Sequence, residues 1–285
     1  MMFGRPKPEI KTTEQLLVMR RAGLVVARTL TAVRDQVRPG VSTAELDQVA
    51  AEVISSAGAQ PSFLGYGADR DRPGFPGVIC TSVNDEIIHG IPGDRRLQSG
   101  DLISVDCGAI VDGWHGDAAI TVGVGELAPE REQLSEGTRD ALWMGIGVAR
   151  LGGRVGDISA AVEDRIDALE VEHGRSYGIV TEYVGHGIGS AMHQDPDVPN
   201  VGRAGRGTKI RRGLALAIEP MITLGSADNH VAADGWTVIT DDGSPAAHWE
   251  HTITLTDHGI WVLTAEDGGE AELGRRGLPF GPLAN

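Results

Sequence analysis

From Leu16 to Val33 apolar positions recur at helical spacing, with Leu16, Met19, Gly23, Val26, Leu30 and Val33 on one face. Thr12, with Gln15 three residues on, makes a capping-box pattern, so a helix should start at "KTTEQ" and stop at "RPG", 38 to 40. Ser42 with Glu45 repeats the box and predicts a second helix to about Gly58. Residues 61 to 74, "PSFLGYGADRDRPG", read as loop. The apolar runs then shorten. "FPGVICTSV" and "EIIHG" flank Asn84-Asp85 and predict a hairpin. "LISVDCGAIV" and "WHGDAAITVGV" predict strands joined at Asp112-Gly113, a favoured two-residue turn. Two more helices are expected over about 130 to 151 and about 157 to 172.

Next comes a strand that opens into a glycine-rich loop, "YGIVTEYVGHGIGSAMHQDP". "RRGLALAIEPMITLG" predicts a strand stopped by proline, and "GWTVITDDGSPAAHWEHTITLTDHGIWVL" predicts antiparallel strands. Residues 1 to 10 read as a flexible arm and 264 to 285 as a poorly ordered tail, leaving 11 to 263 as a single domain. The order of elements fits an α+β fold, with two similar α/β halves around an antiparallel sheet.

Composition adds limits. The 285 residues are 41% hydrophobic, enough for a substantial core. Net charge is -15, which disfavours nucleic acid as substrate yet leaves room for a local basic patch. Two cysteines, Cys80 and Cys107, make no disulfide scaffold and suit a reducing compartment. The first residues lack the apolar core of a secretion signal, and no apolar run approaches the roughly 20 residues of a membrane span. The expectation is a cytoplasmic protein with no membrane or DNA partner. There is no G-x-G-x-x-G between strand and helix, no H-E-x-x-H and no G-x-S-x-G.

Candidate chemistry begins in "DCGAIVDGWHGDAA", Asp106 to Ala119. A turn at Asp112-Gly113 pairs Val111 with Trp114, Gly108 with Asp117 and Asp106 with Ala119. Asp106 and Asp117 then share a face as diagonal neighbours, about 7 to 8 Å apart. One bulge would reverse that parity. Facing carboxylates repel unless a cation lies between them, whereas a solvated strand end would need none. His115 falls beside Asp117 in this register and carries no assigned role; Asp112 sits in the turn. His186 in "GHGIG", His193, Glu219 before Pro220, Glu250 after Trp249, and His89 are further candidates. Each has a plain structural alternative: strand-end carboxylates, or a hydrogen-bonded core histidine. Together, carboxylates with one or two imidazoles suit a pair of hard or borderline divalent ions.

The motifs "NDEIIHGIP" (84 to 92), "DCGAIVDGWHGDAAIT" (106 to 121), "GHGIG" (185 to 189), "AIEPM" (217 to 221) and "EHT" (250 to 252) resemble, in that order, the type I methionine aminopeptidases. The resemblance covers roughly 11 to 263 and implies the pita-bread fold. It places five metal ligands on Asp106, Asp117, His186, Glu219 and Glu250. Asp117 and Glu250 would bridge two divalent ions (Co, Mn, Fe or Zn), Asp106 would hold one, and His186 with Glu219 the other. Glu219 would act as general base, and His89 and His193 would contact substrate. The methionine pocket would involve Tyr66, Phe75, Cys80, Met192 and Trp236. Implied partners are peptide or nascent-chain N-termini with a small second residue, and transient ribosome association; a monomer is expected. Departures from the pattern are Met192 and Gln194, where the family has phenylalanine and glutamate, Ala217 for threonine, and an insertion over Gly67–Gly74. Rival readings are an Xaa-Pro aminopeptidase or dipeptidase of the same fold, and a non-catalytic binding protein on it.

Overall fold

The computed structural model describes residues 7–70 and 73–283. The chain runs through helices α1 (Thr13–Arg34) and α2 (Thr43–Ser56), then strands β1 (Gln60–Pro61), β2 (Cys80–Val83), β3 (Glu86–Ile88), β4 (Leu102–Val111) and β5 (Trp114–Gly123). Helices α3 (Pro129–Val148) and α4 (Val155–His173) follow. Ten strands come after them: β6 (Gly178–Ile179), β7 (Gly185–Gly187), β8 (Gln194–Val198), β9 (Ala215–Ile218), β10 (Met221–Thr223), β11 (Asn229–Val231), β12 (Val238–Thr240), β13 (Ala246–His248), β14 (His251–Thr256) and β15 (Gly259–Val262). Helix α5 (Glu270–Arg275) closes the chain.

Both predicted capping boxes form. Gln15 N donates to Thr12 Oγ1 at 3.3 Å and Thr12 N to Gln15 Oε1 at 2.8 Å; Ser42 and Glu45 do the same for α2. All six residues of the predicted α1 face are buried.

Each half has its own core. Val26, Leu30, Leu46 and Ile54 of α1 and α2 pack on Ile103, Val105 and Ala118 of β4 and β5. Leu142, Ile146 and Ile158 of α3 and α4 pack on Leu216, Ile218, Ile253 and Val262 of β9, β14 and β15. Ladders between named strands are antiparallel, and the largest sheet runs β15-β14-β9-β7-β8.

The halves join where β5 meets the start of β14. Glu250 N donates to Ala119 O at 2.9 Å, and Thr252 Oγ1 to Asp117 O at 2.8 Å. Helix α1 lies against this join through Gly23. A methyl group there would meet Leu263 O at 2.1 Å, and one at Gly116 would meet Gly23 N at 2.7 Å. So Gly23, the third position of the apolar pattern, marks close backbone approach rather than side-chain packing.

Three expectations need correction. The Asn84-Asp85 turn exists, with Asn84 at φ 61°, but it does not make a simple hairpin. β2 pairs with β4 while β3 pairs with β12, so the turn passes the chain from one sheet to another. The tail from 264 was expected to be disordered; residues 264–283 are instead packed. Leu273 is fully buried, Gly281 N donates to Ile260 O at 2.9 Å, and Phe280 bridges to Ile260. Leu273, Leu278 and Phe280 supply apolar contact that the many charges and glycines around them obscure. The arm of residues 1–10 is fixed at its described end, where Glu9 accepts from Ser190 N at 3.0 Å. Residues 1–6, 71–72 and 284–285 lie outside the described residues.

Candidate active site

The Asp112-Gly113 turn positions the first two carboxylates. Asp112 (φ 49°) and Gly113 (φ 81°) both take positive φ, as a type I′ hairpin turn requires. The ladder from Val111↔Trp114 to Leu102↔Gly123 contains Gly108↔Asp117 and Asp106↔Ala119, with no bulge. Parity therefore holds, and Asp106 and Asp117 point the same way. The second half brings His186 from β7, Glu219 from the end of β9 and Glu250 from the step between β13 and β14. Pairing of His186 with Ala217, and of His251 with Ile218, sets these three beside one another.

One ligand atom each from Asp117, His186 and Glu250 lies within 4.8 Å of the others. Glu219 joins them, with Oε1 3.4 Å from His186 Nε2. Asp106 joins through its side-chain contact with Asp117. Asp106 Oδ1, Asp117 Oδ1 and Glu250 Oε1 are buried and have no hydrogen-bond partner. Burial, reinforced by the charge of Glu219, pushes the Asp106 carboxyl up to about 7 against the pull of His248. Burial takes Glu219 to about 8. Burial and then the other carboxylates hold Asp117 and Glu250 well above the usual range. Among the described residues no lysine or arginine lines this cavity to offset them. Buried carboxylates with orphaned oxygens and an imidazole fit divalent cations, whose charge would neutralise them.

The cluster lines a cavity of about 290 Å³, and all twelve residues singled out from the sequence line it. Of these, Phe75, Cys80 and Met192 are buried in one apolar cluster, with Trp236 packed on Phe75 at 5.4 Å between ring centroids. Tyr66 Oη lies 2.6 Å from His193 Nδ1, and the His186 and His193 rings are 4.4 Å apart. His89 occupies the left-handed region at φ 60°, a conformation that a histidine keeps only when its surroundings enforce it. Burial lowers His89 to about 4 and His186 to about 3, so both imidazoles are neutral at physiological pH.

Sequence reasoning missed Phe63, His248 and Tyr183, which also line the cavity. His248 is buried with Nε2 3.6 Å from Glu219 Oε2. Its place two residues before Glu250, in "HWE", was the available signal. Tyr183 stands edge-on to His89 at 5.8 Å between ring centroids, and only tertiary structure brings them together. His115, which the hairpin register placed beside Asp117, bonds instead to Ser62 Oγ at 3.0 Å and does not line the cavity.

A paired-carboxylate and histidine centre between two α/β halves defines a class, and comparison agrees. Residues 18–257 match metallopeptidase family M24, and the chain belongs to that family. Methionine aminopeptidase 1 of Mycobacterium tuberculosis is 50% identical over 262 residues, 92% of this chain and 96% of the relative. Methionine aminopeptidase 1 of Bacillus subtilis is 43% identical over 254 residues, 89% of this chain and 98% of the relative. Among solved structures, the methionine aminopeptidase from Thermotoga maritima superposes with a TM-score of 0.86 at 37% identity, covering 91% of this chain and 100% of that one. The prolidase from Pyrococcus furiosus, at 19% identity and a TM-score of 0.68, shares the pita-bread fold alone; 90% of this chain and 65% of that one are covered. No helix among the described residues is long and apolar enough to cross a membrane.

Proposed function

We propose that the protein is a metal-dependent aminopeptidase that removes methionine from peptide N-termini, preferring a small second residue. One observation carries this reading: a single cavity joins the buried acidic cluster to an apolar pocket lined by Phe75, Cys80, Met192 and Trp236. A thioether fits such a pocket, where polarizable sulfur and aromatic faces adapt to an unbranched side chain. Asp106, Asp117, His186, Glu219 and Glu250 would hold two divalent ions. When bound, these supply Lewis acidity toward the scissile carbonyl and make water a nucleophile near neutral pH.

The residues then divide the work. Glu219 Oε takes a proton from the attacking water as its oxygen adds to the carbonyl carbon. The same atom returns that proton to the leaving nitrogen as the C–N bond breaks. Neutral His89 and His193 donate hydrogen bonds to the substrate backbone, and Tyr66 Oη orients the His193 ring. Buried apolar walls exclude bulk water from the reacting atoms.

Chelator-treated protein reloaded under anaerobic conditions with Mn, Fe, Co or Zn should release methionine from Met-Gly-Met and leave Ala-Pro peptides intact. The reverse preference would favour an Xaa-Pro peptidase. Absence of both bound metal and hydrolysis would favour a binding protein. The same reading places a monomer in the cytoplasm, acting on nascent chains near the ribosome. A local basic face supports that partner. Arg203, Arg206, Lys209, Arg211 and Arg212 are exposed on one loop, and Arg154 Nη1 packs beside them on Gly207 O at 2.8 Å. Co-sedimentation with ribosomes that fades as salt rises, and that Arg203→Glu with Arg206→Glu removes, is the expected result.

A further inference from the structure

The loop that carries Met192 and His193 is held from outside by a buried charge. Lys11 precedes α1, and its side chain is 0% exposed. Its Nζ donates to Glu9 O at 3.1 Å and to Gln194 Oε1 at 3.4 Å, and lies 3.5 Å from Glu9 Oε2. Lys11 N donates to Gly213 O at 2.7 Å, which ties this segment to the turn that leads into β9. Glu9 in turn accepts from Ser190 N at 3.0 Å and Ser190 Oγ at 2.7 Å. Gln194 Nε2 completes the ring with a bond to Ser190 Oγ at 3.2 Å. Contact is so close that a methyl group at Gly189 would meet Glu9 Oε2 at 2.1 Å and Lys11 Cε at 2.3 Å. On its other side the loop is held by His115 N, which donates to Gly189 O at 2.9 Å.

We propose that Glu9 and Lys11 are positioning residues that clamp residues 189–194, and so set where Met192 and His193 stand in the cavity. The clamp rests on the aminopeptidase reading for its kinetic consequence, but not for its existence. Neither residue touches the cavity; both act through the loop. A buried ammonium needs an anionic partner. Residue 194 is the neighbour whose side chain reaches Nζ from the loop, and here it is an amide. The carboxylate therefore comes from Glu9, on the segment before α1. Replacing Glu9 by an amide leaves Lys11 buried between neutral acceptors, and the loop must move to solvate it. Because substrate contacts made by Met192 and His193 depend on fractions of an ångström, binding should suffer more than the chemical step.

Charge relocation tests this. Glu9→Gln should raise KM for Met-Gly-Met about tenfold and change kcat less than about threefold. Adding Gln194→Glu to Glu9→Gln returns a carboxylate to Lys11 from the opposite side and should bring KM back to within about twofold of the parent. Hydrogen exchange provides a readout free of activity: amides of 188–194 should exchange faster in Glu9→Gln and recover in the double variant. If the parent cleaves no methionyl peptide, the aminopeptidase reading fails, while exchange still decides the clamp. Unchanged KM together with unchanged exchange in Glu9→Gln overturns the proposal. So does an equal fall of kcat, thermal midpoint and metal content that the double variant does not rescue, because that would mark a purely structural pair.

Discussion

In the first half both candidate ligands come from one hairpin, eleven residues apart in sequence; in the second, three candidates come from the middle of β7, the end of β9 and the step into β14, between 186 and 250. The hairpin needs only its own turn and pleat to aim Asp106 and Asp117 together. The second half needs β7, β9 and β14 in one sheet, with β9 in the middle, before His186, Glu219 and Glu250 become neighbours. Local geometry can therefore build half of the candidate metal centre, but the other half requires the tertiary fold. At the join of the halves, Glu250 and Ala119 exchange backbone hydrogen bonds (2.9 and 3.4 Å).

If both halves are indispensable, Asp117→Ala and Glu250→Ala should be equally damaging. Each is expected to lower kcat at least about a thousandfold, with loss of bound metal measured by elemental analysis. Asp112→Asn, in the exposed turn, should leave both readings alone. Retention of metal by either ligand variant would break the comparison.

The next largest effect should come from wedging α1 off β5 within the first half, where α1 also backs the join, without touching a ligand. Gly116→Val places side-chain atoms against the α1 backbone at Gly23 and is expected to cost about 3 kcal/mol in urea unfolding. A change under about 1 kcal/mol would mean that the contact yields easily.

A smaller effect reads the charge that both halves bury. In metal-free protein Asp106 is raised to about 7 and Glu219 to about 8, above their unfolded values near 4. Their contribution to stability is complete below about pH 4 and is lost as pH rises through 7 to 8. His89 and His186, lowered to about 4 and about 3, act in the opposite sense, as do His115 and His251 at about 4, through the titration of the unfolded imidazoles around about pH 6.5. Above about pH 7.5 the imidazoles are neutral in both states and the raised carboxylates set the slope. The stability of chelated protein, read from its thermal midpoint, should fall from there through about pH 8, by on the order of 1 kcal/mol per pH unit for Glu219. Saturating divalent metal should flatten the slope. A midpoint that rises with pH in the chelated protein would contradict the buried-charge account.

The smallest effect concerns the rim. The Gly67–Gly74 insertion leaves from a neck closed by Gly65 N to Phe75 O (2.8 Å) and Phe75 N to Tyr66 O (2.9 Å), and Gly67 lies against Trp236. Deleting it should shift KM or peptide preference a few-fold, with metal content unchanged. Loss of metal on deletion would tie the rim to the centre.

Much of this was legible in the sequence, for identifiable reasons. Two capping boxes and a single apolar stripe marked α1 and α2, because helix ends and faces are encoded within a few residues. Asp112-Gly113 set the β4–β5 register, because both turn residues accept positive φ. Family motifs then named the remaining candidates, all of which line one cavity. Other features were not legible. The turn at Asn84 looked like a hairpin, since nothing local says that β3 will find β12 instead of β2. The tail looked disordered, since its few apolar residues matter only once the β15 edge exists to receive them. His248 and Tyr183 carried no motif.

By itself, the sequence determined helices α1 to α4, the register of one hairpin and the identity of the candidate ligands, all properties of short-range backbone chemistry and residue type. Tertiary structure alone decided that five dispersed side chains share one buried, acidic space, and that Glu9, two residues before Lys11, reaches Ser190, 181 positions further along the chain. Proximity across hundreds of residues is set by how two cores pack and where their backbones can touch, and no stretch of sequence holds that information alone.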